Sequence, residues 1–85
     1  MKVKIQDKAE EDLDKVDNAT YDLFNKHIDK ITLIPPRRHL KFGMPFSVEE
    51  VGQGRIVYNI TKNVLYIIRC FASHKEYEKW YKSFK

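Results

Sequence analysis

The chain has 85 residues, a net charge of +4 and one cysteine, Cys70; this suits a single domain over 1–85 with a modest core, and excludes an internal disulfide or a cysteine-built metal site. Its longest uninterrupted apolar run, Val64 to Ile68, is far too short to cross a bilayer, and with no secretory signal pattern the expected compartment is a reducing cytoplasm. Charge is uneven: residues 1–17 carry six acids and four bases, against six acids and twelve bases in the remainder, a balance that suits nucleic acid or an acidic protein partner, with a merely well-solvated surface as the equal alternative.

Lys2-Val3-Lys4-Ile5 alternates polar and apolar residues and predicts a short edge strand. Asp7 and Glu10 have the spacing of a capping box, followed by a helix burying Ala9, Leu13 and Val16. Asp17 to Thr20 is a break rich in capping residues. A second helix is predicted from about Thr20 to Leu33, burying Tyr21, Phe24, Ile28 and Ile31 and ended by Pro35-Pro36, which lack the N–H to continue it. His27 is expected on a helix flank or at the surface. The two helices form an αα-hairpin that needs an apolar surface to lie on.

Residues 36–45, with Arg37, Arg38, His39 and Lys41 beside a glycine-proline turn, make a basic loop that suits a phosphodiester backbone or serves only as a solvated connector. From Phe46 onward, Gly52-Gln53-Gly54 and Lys62-Asn63 punctuate three apolar runs, predicting an antiparallel meander. In the middle strand Ile56, Tyr58 and Ile60 share one face and Arg55, Val57 and Asn59 the other. The last strand, Val64 to Ala72, is apolar on both faces, as a covered central strand would be. A two-residue loop at Lys62-Asn63 would set Arg55 opposite Cys70, with Arg69 on the Ile56 side.

Ser73 and Glu76 form a second capping box, opening a basic C-terminal helix whose first turn holds His74 and Lys75. Unpaired N–H groups and the helix dipole there favour an anion, so a phosphate beside Lys75 is expected. Tyr77, Trp80, Tyr81 and Phe84 recur at helical spacing: Trp80 and Phe84 read as core, whereas Tyr77 and Tyr81 are each able to pack a ring and still present a hydroxyl. For His74, a helix-start residue with no chemical task stands equally beside a proton-transfer role.

The order strand, αα-hairpin, basic loop, Leu40-Lys41-x-Gly43, Gly52-x-Gly54-Arg55-Ile56-Val57-Tyr58, strand and basic helix resembles the RelE/ParE superfamily of type II toxin–antitoxin toxins. Arg55 to Tyr58 looks like that family's R-[LI]-V-Y strand, and Phe71 to Tyr77 is similar to the G-T-H-x-E-Y segment of HigB-like members. The resemblance implies an α+β fold, an N-terminal αα-hairpin packed on a small antiparallel sheet with a short C-terminal helix. It further implies a ribosome-dependent mRNA endonuclease held inactive by a RelB-like antitoxin, with ribosome and mRNA as the other partners and no cofactor, metal, membrane or small-molecule ligand.

Carried over by position, the resemblance makes Arg55 the arginine at the scissile phosphate, Lys75 a catalytic cation, Tyr81 an activator of the attacking hydroxyl and His74 a general acid. Arg37, Arg38, Lys41 and Tyr77 are the expected RNA contacts. Ribosome-dependent relatives have a lysine pair where this chain has Val48-Glu49-Glu50; in some branches a carboxylate acts as base, and strand alternation puts only one of Glu49 and Glu50 on the Arg55 face, Glu50 being the catalytic candidate. ParE-like members of the same fold inhibit gyrase without cutting RNA, which is one alternative; a basic domain that only binds its antitoxin is another.

Overall fold

A computed structural model describes residues 1–33 and 46–83. The basic loop with Arg37, Arg38 and Lys41, the Pro35-Pro36 helix stop and Phe84 lie outside the described residues. Among the described residues seven elements follow in order: β1 (Lys2–Ile5), α1 (Asp7–Asp14), α2 (Asn18–Leu33), β2 (Ser47–Val51), β3 (Gly54–Thr61), β4 (Val64–Phe71) and α3 (His74–Lys82). The fold is α+β, with the four strands in the order β1-β4-β3-β2.

The meander is antiparallel as its turns predict, but β1 runs parallel to β4, Lys2 facing Val64 and Ile5 facing Ile67. The sheet is therefore mixed rather than wholly antiparallel. A parallel pair needs a long crossover, and here everything from α1 through β3 supplies it, so β1 remains an edge strand and β4 becomes central.

Both tight turns use residues suited to their backbone. Lys62 and Asn63 have φ of 50° and 62°, the left-handed pair that closes a two-residue hairpin with the right strand twist. Gly52 has φ of 59° in the β2–β3 turn. Gly54 is needed for a different reason: a Cβ there would stand 2.8 Å from the Phe71 carbonyl oxygen and 3.0 Å from Phe24 Cζ.

The β3–β4 ladder begins at Thr61 opposite Val64, as a two-residue loop dictates, then shifts by one at a bulge beside Val57 and Tyr58. Ile68 is the extra residue, so Arg55 faces Phe71 instead of Cys70, and Arg69 faces Val57 instead of joining the Ile56 side. A bulge puts two successive residues on one face, which is why the two arginines do not look in opposite directions.

One face of the sheet carries Val51, Ile56, Tyr58, Leu65, Ile67 and Cys70 against Ala9 and Leu13 of α1 and Phe24, Ile28 and Ile31 of α2. The other carries Val48, Val57 and Phe71 beneath Tyr77 of α3, with Phe46 beside them. Tyr21, expected in the first cluster, is 42% exposed, and the buried stripe of α2 starts one turn later at Phe24. A tyrosine tolerates this because its ring is amphipathic.

The helix starts differ from the sequence expectation at one end. Gln6 N–H donates to the Ile67 carbonyl at 3.0 Å, extending the β1–β4 ladder, so Gln6 is the N-cap of α1 and no side chain caps it. Asp7 is thereby moved into the first turn, where its charge favours the helix dipole. For α2 the Thr20 N–H donates to Asp17 Oδ1 at 2.7 Å, and that bond holds the Asp17 carboxyl below its ordinary range. No helix among the described residues is long and apolar enough to cross a membrane.

Candidate active site

The candidate site forms where β3, the β2 edge and α3 meet. Ser73, extended at φ −137°, caps α3, its hydroxyl accepting the Glu76 N–H at 3.2 Å. The cap fixes where the helix begins, and its aromatic stripe fixes which side faces the sheet. Tyr77 is 4% exposed; its ring lies 6.1 Å from Phe71, and Trp80 lies 5.5 Å from Phe71 and 5.0 Å from Phe46.

Arg55 leaves β3 on this same face, opposite Phe71 and paired in register with Glu50 of β2. Its Nη1 donates to the carbonyl oxygens of Gly54 at 2.7 Å and Gly52 at 3.2 Å, and its Nη2 stands 3.9 Å from Glu50 Oε1. The guanidinium side chain is 12% exposed, whereas the Glu50 side chain is 65% exposed. Burial pushes the Tyr77 phenol up, Tyr81 pushes it the same way, and the Arg55 charge opposes both. Arg55 is thus within electrostatic reach of the buried tyrosine.

From Tyr77 the cluster continues along α3. Tyr81 stacks on Tyr77 at 6.1 Å between ring centroids and 14° between planes, and the His74 ring lies 6.2 Å from Tyr77. The Nε2 of His74 contacts Glu78 Oε1, and the second oxygen of Glu78 is 3.7 Å from Lys82 Nζ. Of the expected catalytic residues, Arg55, Glu50, His74 and Tyr81 are thus linked through Tyr77 or, for Glu50, through Arg55.

Lys75 is not among them. It is exposed and follows the stripe of Lys79 and Lys82, and at about 100° per residue a position two before Tyr77 lies about 160° around the helix from it. The expected phosphate pocket between Arg55 and Lys75 is therefore corrected: helix rotation turns the lysine outward. Tyr77 is corrected as well. Burial against Phe71 gives its ring to the core rather than to RNA contact.

The two glutamates separate as alternation requires. Glu50 shares the Arg55 face, while Glu49 is 6% exposed and faces α2. Burial alone would raise the Glu49 carboxyl, but hydrogen bonds with His27 at 2.9 Å and from Lys30 at 3.0 Å outweigh it and hold it below the ordinary range. His27 is therefore, with Lys30, a partner of the buried Glu49 in a polar staple between α2 and β2, a role sequence spacing did not reveal. Glu78 was also missed; its only signal is the four-residue spacing from His74.

A second polar junction fixes the approach to α3. Asp12 Oδ2 accepts from Arg69 Nε at 2.7 Å and from the Cys70 N–H at 3.0 Å, while Oδ1 accepts from Arg69 Nη2 at 3.0 Å. The bidentate bond to Asp12 raises the Arg69 guanidinium still further. Arg69 also lies 4.8 Å over the Phe71 ring. Beyond the end of β1, Asp12 thus holds the free edge of β4 just before the chain enters α3.

No protein-family model matches the sequence, and no curated protein matches it. Solved structures do match by fold. The isolated E. coli RelE toxin is 16% identical with a TM-score of 0.74, covering 99% of this chain and 98% of that one. The YoeB–YefM toxin–antitoxin complex of Staphylococcus aureus matches at 17% identity and a TM-score of 0.68, over 84% of this chain and 94% of that one. The archaeal RelE–RelB complex of Pyrococcus horikoshii matches at 20% identity and a TM-score of 0.66, over 82% and 91%. The chain has a RelE-like fold.

Proposed function

We propose that this chain is the toxin of a type II toxin–antitoxin pair and that it stops translation by cutting mRNA on the ribosome. The fold supports the first part, since similar structures are described as RelE toxins or as toxins bound to RelB and YefM. The single observation carrying the second is the grouping of His74, Tyr81 and Arg55 about the buried Tyr77, with Glu50 beside Arg55.

Cleavage by a ribose 2′-hydroxyl needs a proton acceptor, donors around the developing phosphorane charge and a proton for the leaving 5′ oxygen. Glu50, exposed beside Arg55, is the acceptor. Arg55 meets the phosphate charge, His74 protonates the 5′ oxygen and Tyr81 orients the attacking hydroxyl. So sparse a set leaves substrate alignment to the ribosome, because orientation is a large share of such a barrier. The basic loop with Arg37, Arg38 and Lys41 is proposed to follow the RNA backbone, and a cytoplasmic, acidic antitoxin of RelB type to cover the basic surface.

The test is expression in cells with primer-extension mapping of transcripts, comparing the native chain with Arg55→Ala. Growth arrest with cuts in translated messages, reduced about 10²- to 10³-fold by the substitution, supports the reading. Arrest with intact transcripts and a supercoiling defect would replace it with ParE-like gyrase inhibition.

A further inference from the structure

We propose that Glu78 is the positioning residue for His74 in RNA cleavage, an inference that rests on the nuclease reading above. His74 is the first residue of α3 and Glu78 lies one turn on, its carboxylate against the imidazole Nε2. A carboxylate only accepts, so the nitrogen it holds carries a proton, and Nδ1 becomes the nitrogen that exchanges one. The contact also selects one ring orientation out of those open to an exposed helix-start residue.

The surroundings give that orientation a purpose. The imidazole lies 6.2 Å from the Tyr77 ring, on which Tyr81 stacks, and Tyr77 is within reach of the Arg55 charge. The pair stays open to solvent, with the His74 side chain 52% and that of Glu78 43% exposed, so an RNA linkage can reach the imidazole. Lys82, on the other oxygen of Glu78, lies 3.7 Å away and leaves the imidazole contact intact.

With the ring as imidazolium, the Glu50 carboxylate takes the 2′-hydroxyl proton as the 2′ oxygen bonds to phosphorus. The bond from phosphorus to the 5′ oxygen breaks with its pair on that oxygen, which takes the Nδ1 proton. The products are a 2′,3′-cyclic phosphate, a 5′-hydroxyl, a protonated Glu50 and a neutral imidazole still donating Nε2–H to Glu78. Proton exchange with water restores both groups.

The test compares a message on programmed ribosomes carrying either the ordinary scissile linkage or one with sulfur as the 5′ bridging atom, whose thiolate leaves without a proton. Glu78→Gln is expected to lose about 10- to 100-fold on the ordinary linkage, a part of what general acid catalysis supplies. On the sulfur linkage it should lose less than about threefold. His74→Ala should lose at least as much on the ordinary linkage, and the double variant no more than His74→Ala. Equal losses by Glu78→Gln on both linkages would mark damage to the helix rather than lost proton transfer and would overturn the proposal. Native rates for that variant on both linkages would overturn it too, with the nuclease reading intact. A native chain that cuts neither linkage ends both, before any variant is compared.

Discussion

Replacing Asp12 by alanine removes the three hydrogen bonds that join α1 to the end of β4. The Asp12 side chain is 11% exposed and that of Arg69 is 23% exposed, so water only partly compensates either partner. An orphaned N–H at Cys70 costs about 1–3 kcal/mol. Stranding a fully buried charge costs about 3–5 kcal/mol, but the guanidinium sits at an edge and keeps its place over Phe71, which discounts that figure heavily. The combined loss should be about 2–4 kcal/mol, or a fall in Tm of roughly 10–25 °C for a domain of this size.

Urea denaturation with linear extrapolation measures it, and thermal melting checks it. Arg69→Met should cost less than Asp12→Ala, because Asp12 still accepts from Cys70. The double variant should cost less than the sum of the two, since each removes the same pair. A loss below about 0.5 kcal/mol for Asp12→Ala would place the junction among exposed ion pairs of little consequence and refute the reasoning.

Three further changes follow from the same structure. The depressed Glu49 carboxyl stabilises the fold above the ordinary value of 4.5 and loses that contribution as pH falls through its lower folded value. Glu49→Gln should therefore cost about 1–3 kcal/mol at neutral pH and narrow its gap to the native chain in acid; parallel urea midpoints from pH 7 to 2.5 would contradict this. Gly54→Ala forces a methyl group to 2.8 Å from the Phe71 carbonyl oxygen and 3.0 Å from Phe24 Cζ, and should cost about 1–3 kcal/mol through overpacking; an unchanged melting curve would show that the strand yields. Burial first, then the Asp12 charge, push the Cys70 thiol up to about 12, so it should resist a disulfide reagent at pH 8 until urea unfolds the chain; prompt labelling of the folded protein would show otherwise.

The elements legible in the sequence are those whose signals are local. Gly52, Lys62-Asn63 and the Ser73–Glu76 cap each specify their geometry within four residues, and each holds in the structure. Pairings set by distant parts of the chain were not legible. The parallel β1–β4 contact depends on what crosses between the strands, and the Ile68 bulge changes no local pattern because β4 is apolar on both faces. Alternation showed that one of Glu49 and Glu50 must face Arg55, yet only the register with β3 settles that it is Glu50. The same register buries Glu49, which survives there because His27 and Lys30, distant in sequence, meet it.

The β2–β3 turn links fold and site more closely than its role as a connector requires. Both hydrogens of Arg55 Nη1 go to carbonyl oxygens of the turn itself, at Gly52 and Gly54. The guanidinium is therefore held by the backbone beside it, while Nη2 lies toward Glu50. Donors held in place before the reaction stabilise developing charge without reorganising at that moment. A flexible cation such as Lys75, exposed on the outer side of α3, offers charge without that fixed geometry. On the proposed reading, the Gly54 carbonyl that receives Arg55 Nη1 belongs to the same residue whose Cα packs too closely on Phe71 and Phe24 to carry a side chain.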